Sequence, residues 1–350
     1  MSRSNPIPRT ALYKAPIPNI SILDIPHFDE QRENELGVYI ASRLHIDELA
    51  PVAIYISRDG GVTYTEQMEL FHSAKVGNLL LANNDGGLTA IDGADVVNAP
   101  DERSKLIVQW ESRYDLQGVS NNNLLNGENM LLVQGEVAQF RDTAFTDFNT
   151  TTASYLLRGR RGTEGATYSA VGQSRVVLLE RKLPFLKLRH SDVGKTLYFK
   201  AVTNAMSLDN SKIVSMTFEG NGLKPFAPSN ISAIRNGSND VAISWNRRTR
   251  SIARLMGVKR LPYGEDTDDY EIDVLSPTVP RTVLRTIKVT AETVTYTASQ
   301  QTADGLTLGN ALFMRIYQMS NAVGRGQTNT VTLLATTTPN NKQYANHITV

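Results

Sequence analysis

Val241-Ala-Ile-Ser-Trp245 alternates apolar and polar side chains, the period of a strand buried on one face. Short runs of similar character recur around it at 231–234, 270–274, 293–297, 312–317 and 328–334. Evenly spaced short strands separated by turn residues read as a small antiparallel β-sandwich. Gly220-Asn-Gly-Leu-Lys-Pro-Phe-Ala-Pro228 gathers two glycines and two prolines and marks its N-terminal boundary. The sandwich is therefore expected over 223–335, with 336–350 as a C-terminal tail. The acidic run at 265–273 lies between two of its strands and reads as a solvated charged loop rather than a calcium site. It lacks the glycine and ordered ligand ladder of an EF-hand.

The rest of the chain is also strand-like. The short runs 38–40, 52–56, 105–111, 155–157, 175–179 and 197–202 are rich in β-branched or alternating apolar residues. Ser57-Arg-Asp-Gly-Gly61 and Gln134-Gly135 are turn sequences, which predicts hairpins over 51–65 and 130–140. A polar loop is expected at 83–101, and one weak helix over 41–49. The fold class is mostly β and multidomain, with a β-rich region over 27–222 that divides, if at all, near 102–115. Ahead of it, Pro6, Pro8, Pro16, Pro18 and Pro26 predict an extended, proline-rich arm over 1–26. The aliphatics Ile17, Ile20, Ile22, Leu23 and Ile25 suit docking of that arm on a surface.

Composition narrows the function. The 350 residues carry 36 Lys and Arg against 35 Asp and Glu, a net charge of +1, which argues against a general nucleic-acid binder. The chain has no cysteine, so disulfides, thiolate metal sites and cysteine nucleophiles are excluded together. No apolar run approaches the roughly 20 residues of a membrane span, and no signal peptide opens the sequence. Synthesis and folding in a cytoplasm are expected.

His27, His45, His72, His190 and His347 are scattered, without metal-ligand spacing. No nucleophile elbow, phosphate loop or dinucleotide fingerprint is present. The expectation is no enzyme, no cofactor and no metal. The sharpest local feature is Leu156-Leu-Arg-Gly-Arg-Arg-Gly-Thr-Glu164. Its glycines, Gly159 and Gly162, allow a tight backbone path, and Arg158, Arg160 and Arg161 offer planar forks for carboxylates or carbonyls. Together with Thr163 they form a candidate structural or assembly motif, with binding of an anionic group as the other reading. Trp245 is the candidate centre of the sandwich core.

That arginine motif resembles one characteristic of siphophage and gene transfer agent baseplate hub tail proteins, the tip attachment protein J class. Other stretches match in the same order: Pro18-Asn-Ile-Ser-Ile-Leu-Asp-Ile-Pro26, Ala53-Ile-Tyr-Ile-Ser-Arg-Asp-Gly-Gly61, Leu124-Leu-Asn-Gly-Glu-Asn129, Gly135-Glu-Val-Ala-Gln-Phe140, 172–179 and Met319-Ser-Asn-Ala-Val-Gly-Arg-Gly326. Val241 to Trp245 is similar to the second strand of a fibronectin type III module, with Phe313 standing where such modules place a tyrosine. The resemblance implies a structural virion protein of the tail tip or baseplate that docks on the tail hub. It implies a role in host attachment or fibre anchoring, and other tail proteins (hub, distal tail, fibres) as partners. It also implies a homo-oligomer, a trimer being favoured. A receptor- or glycan-binding adhesin module of the tail tip is the alternative. Members of that family are longer and close the tail tube with N-terminal hub domains, so the tube-closing role is not carried over.

Overall fold

Two apolar runs in the sequence show no alternation, at Met130–Val133 and at 176–179, and both are strands buried on two faces. The computed structural model describes residues 18–43, 51–80, 99–112, 116–167, 173–203, 206–251, 265 and 267–335, with the backbone of 343–344 and 346–347. Residues 1–17 of the expected arm and most of the expected loop at 83–101 lie outside these. The described part of the arm forms β1 (Asn19–Leu23), which pairs antiparallel with β2 (Gly37–Arg43) of the same chain. The helix expected over 41–49 is corrected at its start: residues 41–43 continue β2, because Ser21 and Ile20 of β1 pair with Ala41 and Ser42, and 44–49 lie outside the described residues. β3 (Val52–Ser57) and β4 (Thr65–Leu70) follow as the expected hairpin. Its second strand starts later than the sequence suggests, because the Asp59 carboxylate collects the N–H groups of Val62 and Thr63 into the turn.

A six-stranded closed barrel then interrupts this sandwich. Its strands are β5 (Val76–Leu79), β6 (Leu106–Trp110), β7 (Met130–Val133), β8 (Glu136–Asp147), β9 (Thr150–Arg160) and β10 (Arg175–Leu179), in spatial order β10-β5-β6-β9-β8-β7. A short helix, α1 (Asn121–Leu125), precedes β7 and is capped by Ser120. Gln134 and Gly135, both with positive φ (49° and 86°), make the two-residue turn between β7 and β8. The chain returns to the outer sandwich through β11 (Phe185–Lys187), β12 (Thr196–Val202) and β13 (Ile213–Thr217). The two outer sheets are β1-β2-β11 and β13-β12-β3-β4. The region therefore divides by insertion; of the boundary expected near 102–115, Leu106–Trp110 form β6 inside the barrel, and 113–115 lie outside the described residues.

Period-2 alternation assigns each residue of the doubly buried strands to a core. Val38 and Ile40 of β2 enter the outer sandwich core with Ile54, Ile56, Leu197 and Phe199. Tyr39 and Ala41, on the opposite face, enter the core between that sandwich and the barrel. From the barrel side, Met130 and Leu132 of β7 and Val177 and Leu179 of β10 complete this middle core. Leu131, Val133, Val176 and Leu178 point the other way, into the barrel, against Trp110, Phe140 and Leu156.

The C-terminal region is a two-sheet sandwich. β14 (Ser229–Arg235), β15 (Val241–Asn246) and β18 (Thr293–Tyr296) form one sheet. β16 (Tyr270–Leu275), β17 (Val283–Val289), β19 (Leu312–Ser320) and β20 (Gly324–Leu333) form the other, in order β17-β16-β19-β20. A helix, α2 (Ala298–Ala303), links β18 to β19 behind a capping box of Thr297 and Gln300. This three-on-four arrangement is fibronectin type III-like. β17 escaped the sequence reading because it is an edge strand: Val283 and Leu284 are exposed, and only Ile287 and Val289 pack against the core, partly buried. Two short segments of the C-terminal tail pair with the sandwich, Gln343–Tyr344 beside β14 and Asn346–His347 beside β20.

Two expectations are corrected here. Phe313 does not take an interior tyrosine's place: Leu312, Met314 and Ile316 face the core, so Phe313 faces out, under the Arg281 guanidinium at 3.8 Å. Tyr270 and Tyr296 are the tyrosines buried in this core, and Tyr296 donates to Asp304 at 2.7 Å. The acidic run is not all solvated loop either. Glu271 and Asp273 sit within β16, where Arg325 reaches both at 2.7 and 2.6 Å and Lys288 reaches Glu271 at 2.9 Å. Burial pushes both carboxyls up, but these hydrogen bonds prevail and hold them below the usual range.

Trp245 is 2% exposed in the sandwich core and meets Tyr270 edge-on at 5.2 Å. Trp245→Ala is expected to cost about 3–5 kcal/mol, read as a lower denaturant midpoint at unchanged slope. A loss below about 1 kcal/mol is incompatible with this packing.

Candidate functional site

The arginine motif lies where β9 leaves the barrel. Gly159, Arg161 and Gly162 all adopt left-handed backbone, with φ of 57°, 59° and 82°. A Cβ on Gly162 would run into the Phe226 ring, so glycine is required there for space as well as conformation. This path sends the three arginine side chains, within four residues, to three different neighbours.

Arg158 points into the barrel wall and is fully buried. Its Nε and Nη2 donate to the two carboxylate oxygens of Glu136 at 2.6 and 2.8 Å, and Nη1 donates to Asp101 at 3.0 Å. The Gly159 N–H adds a bond to Glu136 at 2.9 Å. Burial pushes the Glu136 carboxyl above its ordinary range. Burial also raises Asp101, but donors from Ser104, Arg103 and Arg158 outweigh it and hold that carboxyl low. Asp101 ends the loop before β6, Glu136 opens β8, and Arg158 lies in β9, so this one guanidinium ties three parts of the barrel. Thr163 closes the turn: its hydroxyl donates to the Arg160 carbonyl at 2.7 Å and accepts from the Val137 N–H at 2.9 Å.

Arg161 points out of the barrel toward both sandwiches. Its Nε donates to the His27 carbonyl and its Nη2 to the Arg250 carbonyl, each at 2.7 Å. The Arg161 and Arg248 guanidiniums both approach the Phe226 ring, their carbons 5.4 and 5.2 Å from its centre. Arg248 pairs with Glu164 at 2.5 Å, and Arg250 pairs with Glu265 at 2.7 Å and donates to the Glu33 carbonyl. Burial, with the charge of Arg160 beside it, pulls Arg161 down to about 10.

Arg160 takes the third direction. Its Nε donates to Gln139 at 2.9 Å, and Gln139 in turn donates to the Leu124 and Glu128 carbonyls at 2.7 Å each. Among the described residues its terminal nitrogens have no hydrogen-bond partner. Arg160 lines a cleft of about 600 Å³ shared with Phe28, Leu125, Glu128, Met130 and Arg181. Burial lowers the Arg160 pKa.

Two residues of the junction were not singled out as site residues in the sequence. Asp24 accepts backbone N–H groups of Glu219, Gly220 and Asn221 at 2.7, 3.0 and 2.7 Å, fixing β1 to the segment that leads into the C-terminal sandwich. Its signal was the aspartate closing a proline-bounded strand, but the partner lies far along the chain. His27 was read only as a satisfied or surface residue. Its Nε2 donates to the Glu35 carbonyl at 2.8 Å, so Nδ1 accepts from the Tyr39 hydroxyl at 3.0 Å. The ring is neutral and packs against Gly222, whose Cβ would collide with it. Burial, with Arg250 and Arg161 nearby, pulls His27 down to about 4. Among the described residues no three histidine or carboxylate side chains gather as a metal site.

Arg158→Ala leaves two buried carboxylates without their cation and is expected to cost about 3–5 kcal/mol in chemical denaturation, more than Arg160→Ala. His27 contributes a pH dependence of defined sign. Its folded value near 4 lies below the ordinary 6.5, so its contribution is complete above pH 6.5 and is lost as pH falls toward 4. The full difference is about 3 kcal/mol. Asp24 runs the opposite way, since burial pushes it up to about 6. The slope of unfolding free energy between pH 6.5 and 4 is therefore compared between the native chain and His27→Gln. The variant is expected to lose less stability on acidification; equal slopes contradict the assignment.

Comparison with known proteins bears mainly on the barrel. Residues 86–177 match the model of the Rcc01698-like, C-terminal family, a span of about a quarter of the chain that holds the arginine motif. No curated protein matches. Among solved structures the chain is similar to the FN1-FN3 domains of chicken CNTN1 at 11% identity and a TM-score of 0.22, covering 91% of this chain and 97% of that one. It is also similar to a chain of a cytokine receptor complex at 12% identity and a TM-score of 0.23, covering 67% and 92%.

Proposed function

We propose that this chain is a structural component of a bacteriophage or gene transfer agent tail tip or baseplate. In this reading it docks on the tail hub, contributes to host attachment or fibre anchoring, and reaches the virion after assembly in the host cytoplasm. The observation that carries it is the match of residues 86–177 to a family associated with gene transfer agent and phage-like proteins. The use of the arginine motif supports it. Arg158 and Arg161 hold the barrel and join it to both sandwiches, which is work of construction rather than of turnover. The near-neutral charge fits protein partners, namely hub, distal tail and fibre proteins, and further copies of the chain, three being favoured.

A receptor- or glycan-binding adhesin is the second reading. It is favoured by the exposed valines Val279 and Val283 between and on β16 and β17, at the rim of the C-terminal sandwich. Cryo-electron microscopy of intact particles separates the two. Density for the barrel and outer sandwich against the hub is expected at the distal end of the tail, and its absence there overturns the proposal. Exchanging the rim loops of the C-terminal sandwich without loss of adsorption removes the adhesin reading.

A further inference from the structure

The β8–β9 hairpin extends beyond the barrel. β7 pairs with β8 only from Glu136 to Gln139, whereas β8 and β9 stay paired out to Asp147 and Thr150. Beyond Arg141 one edge of β8 has no strand beside it among the described residues. Exposed edges are commonly protected by lysine or proline. Asp142-Thr-Ala-Phe-Thr-Asp147 has neither, its protection being the two aspartates and a bulge between Phe145 and Asp147. Phe145 near its tip is 59% exposed. The Asp147 carboxylate accepts the Phe148 N–H at 2.7 Å and meets no cation among the described residues.

The cleft at the other end of β8 has the complementary needs. Arg160 is held there by Gln139, half-buried and lining the cleft; among the described residues it forms no ion pair, Glu164 acting on its charge only from a distance. Leu125, 69% exposed, stands on the rim. The same rim carries Glu30, Glu128 and Glu180, which suits a single carboxylate on the floor and disfavours a polyanion. The hairpin tip cannot reach the cleft of its own chain, because Gln139 and Asp147 are about 26 Å apart along one strand at about 3.3 Å per residue.

We infer that the β8–β9 hairpin tip docks in the Arg160 cleft of a second copy of this chain, with Asp147 paired to Arg160 and Phe145 lying on Leu125. Donor and acceptor are different surfaces, so the contact is heterologous and repeats head to tail, closing a ring where the rotation allows. One tip buries less than the roughly 1,200 Å² of a stable interface, so the contact sets register within an assembly rather than holding it alone. The inference stands on this geometry and does not depend on the virion reading.

The absence of native cysteine makes the test direct. A Thr146→Cys chain and an Asn126→Cys chain are mixed at high concentration under mild oxidation, and disulfide-linked products are quantified. Cross-links between the two different chains are expected to exceed those within either batch. Asp147→Asn on the first chain, or Arg160→Gln on the second, is expected to lower their yield at least fivefold. Asp147→Arg against Arg160→Glu is expected to restore it. Asp147 is at an exposed tip, so its substitution leaves the barrel intact, and matching unfolding curves verify this for every chain. Predominant linkage between two Thr146→Cys chains, a yield insensitive to both charge changes, or no linkage at all overturns the inference.

Discussion

The left-handed turn at Gly159, Arg161 and Gly162 is the constraint on which the arrangement of the three regions depends. An ordinary extended continuation of β9 would alternate its side chains between two faces. Three left-handed residues instead let Arg158 stay in the barrel wall, Arg160 enter the cleft and Arg161 reach the carbonyls of His27 and Arg250. One non-glycine residue in this conformation is locally unfavourable by about 1–2 kcal/mol. Two charge-assisted hydrogen bonds and the stacking on Phe226 offset that cost.

The barrel is bound to the outer sandwich by a second device. β2, β7 and β10 are buried on both faces, so successive residues belong to different hydrophobic cores. A change at Tyr39 or Val177 acts on the middle core, and a change at Ile40 or Val176 acts on its neighbour. The inserted barrel is thus continuous with the sandwich that carries it. The cleft that Arg160 lines lies at this junction, with Phe28 on one side and Met130 and Gln139 of the barrel on the other. Asp24 performs the corresponding task for the C-terminal sandwich by gathering three N–H groups of the connecting segment.

Much of the strand content was legible because alternation and β-branched runs act locally. The strands about Trp245, the hairpin at Gln134-Gly135 and the glycine-proline boundary near 220–228 fall in this class. β17 was not legible, since an edge strand buries too little of its side-chain surface to impose a clean pattern. The start of the helix expected over 41–49 gave way for the reverse reason: at 41–43 the pairing of β2 with β1 overrides a weak local preference. Of the candidate site, the residue types and the turn were legible, but their partners were not. Arg158 meets Asp101 and Glu136, and Arg161 meets His27 and Arg250, all across sequence separations that no local spacing encodes.

By itself, the sequence determined a β-rich, cysteine-free chain of near-zero charge, a C-terminal sandwich around Trp245 and a glycine-bounded arginine turn. These follow from side-chain period, from the conformational demands of glycine and proline, and from composition. Only the tertiary structure decided that the barrel is an insertion, that Glu271 and Asp273 are interior ion-pair partners, and that one arginine of the motif is left facing a cleft. The physical reason is that a guanidinium has the same chemistry wherever it stands. Whether it is a fastener or an open site depends on which carboxylates and carbonyls the fold brings within hydrogen-bonding distance.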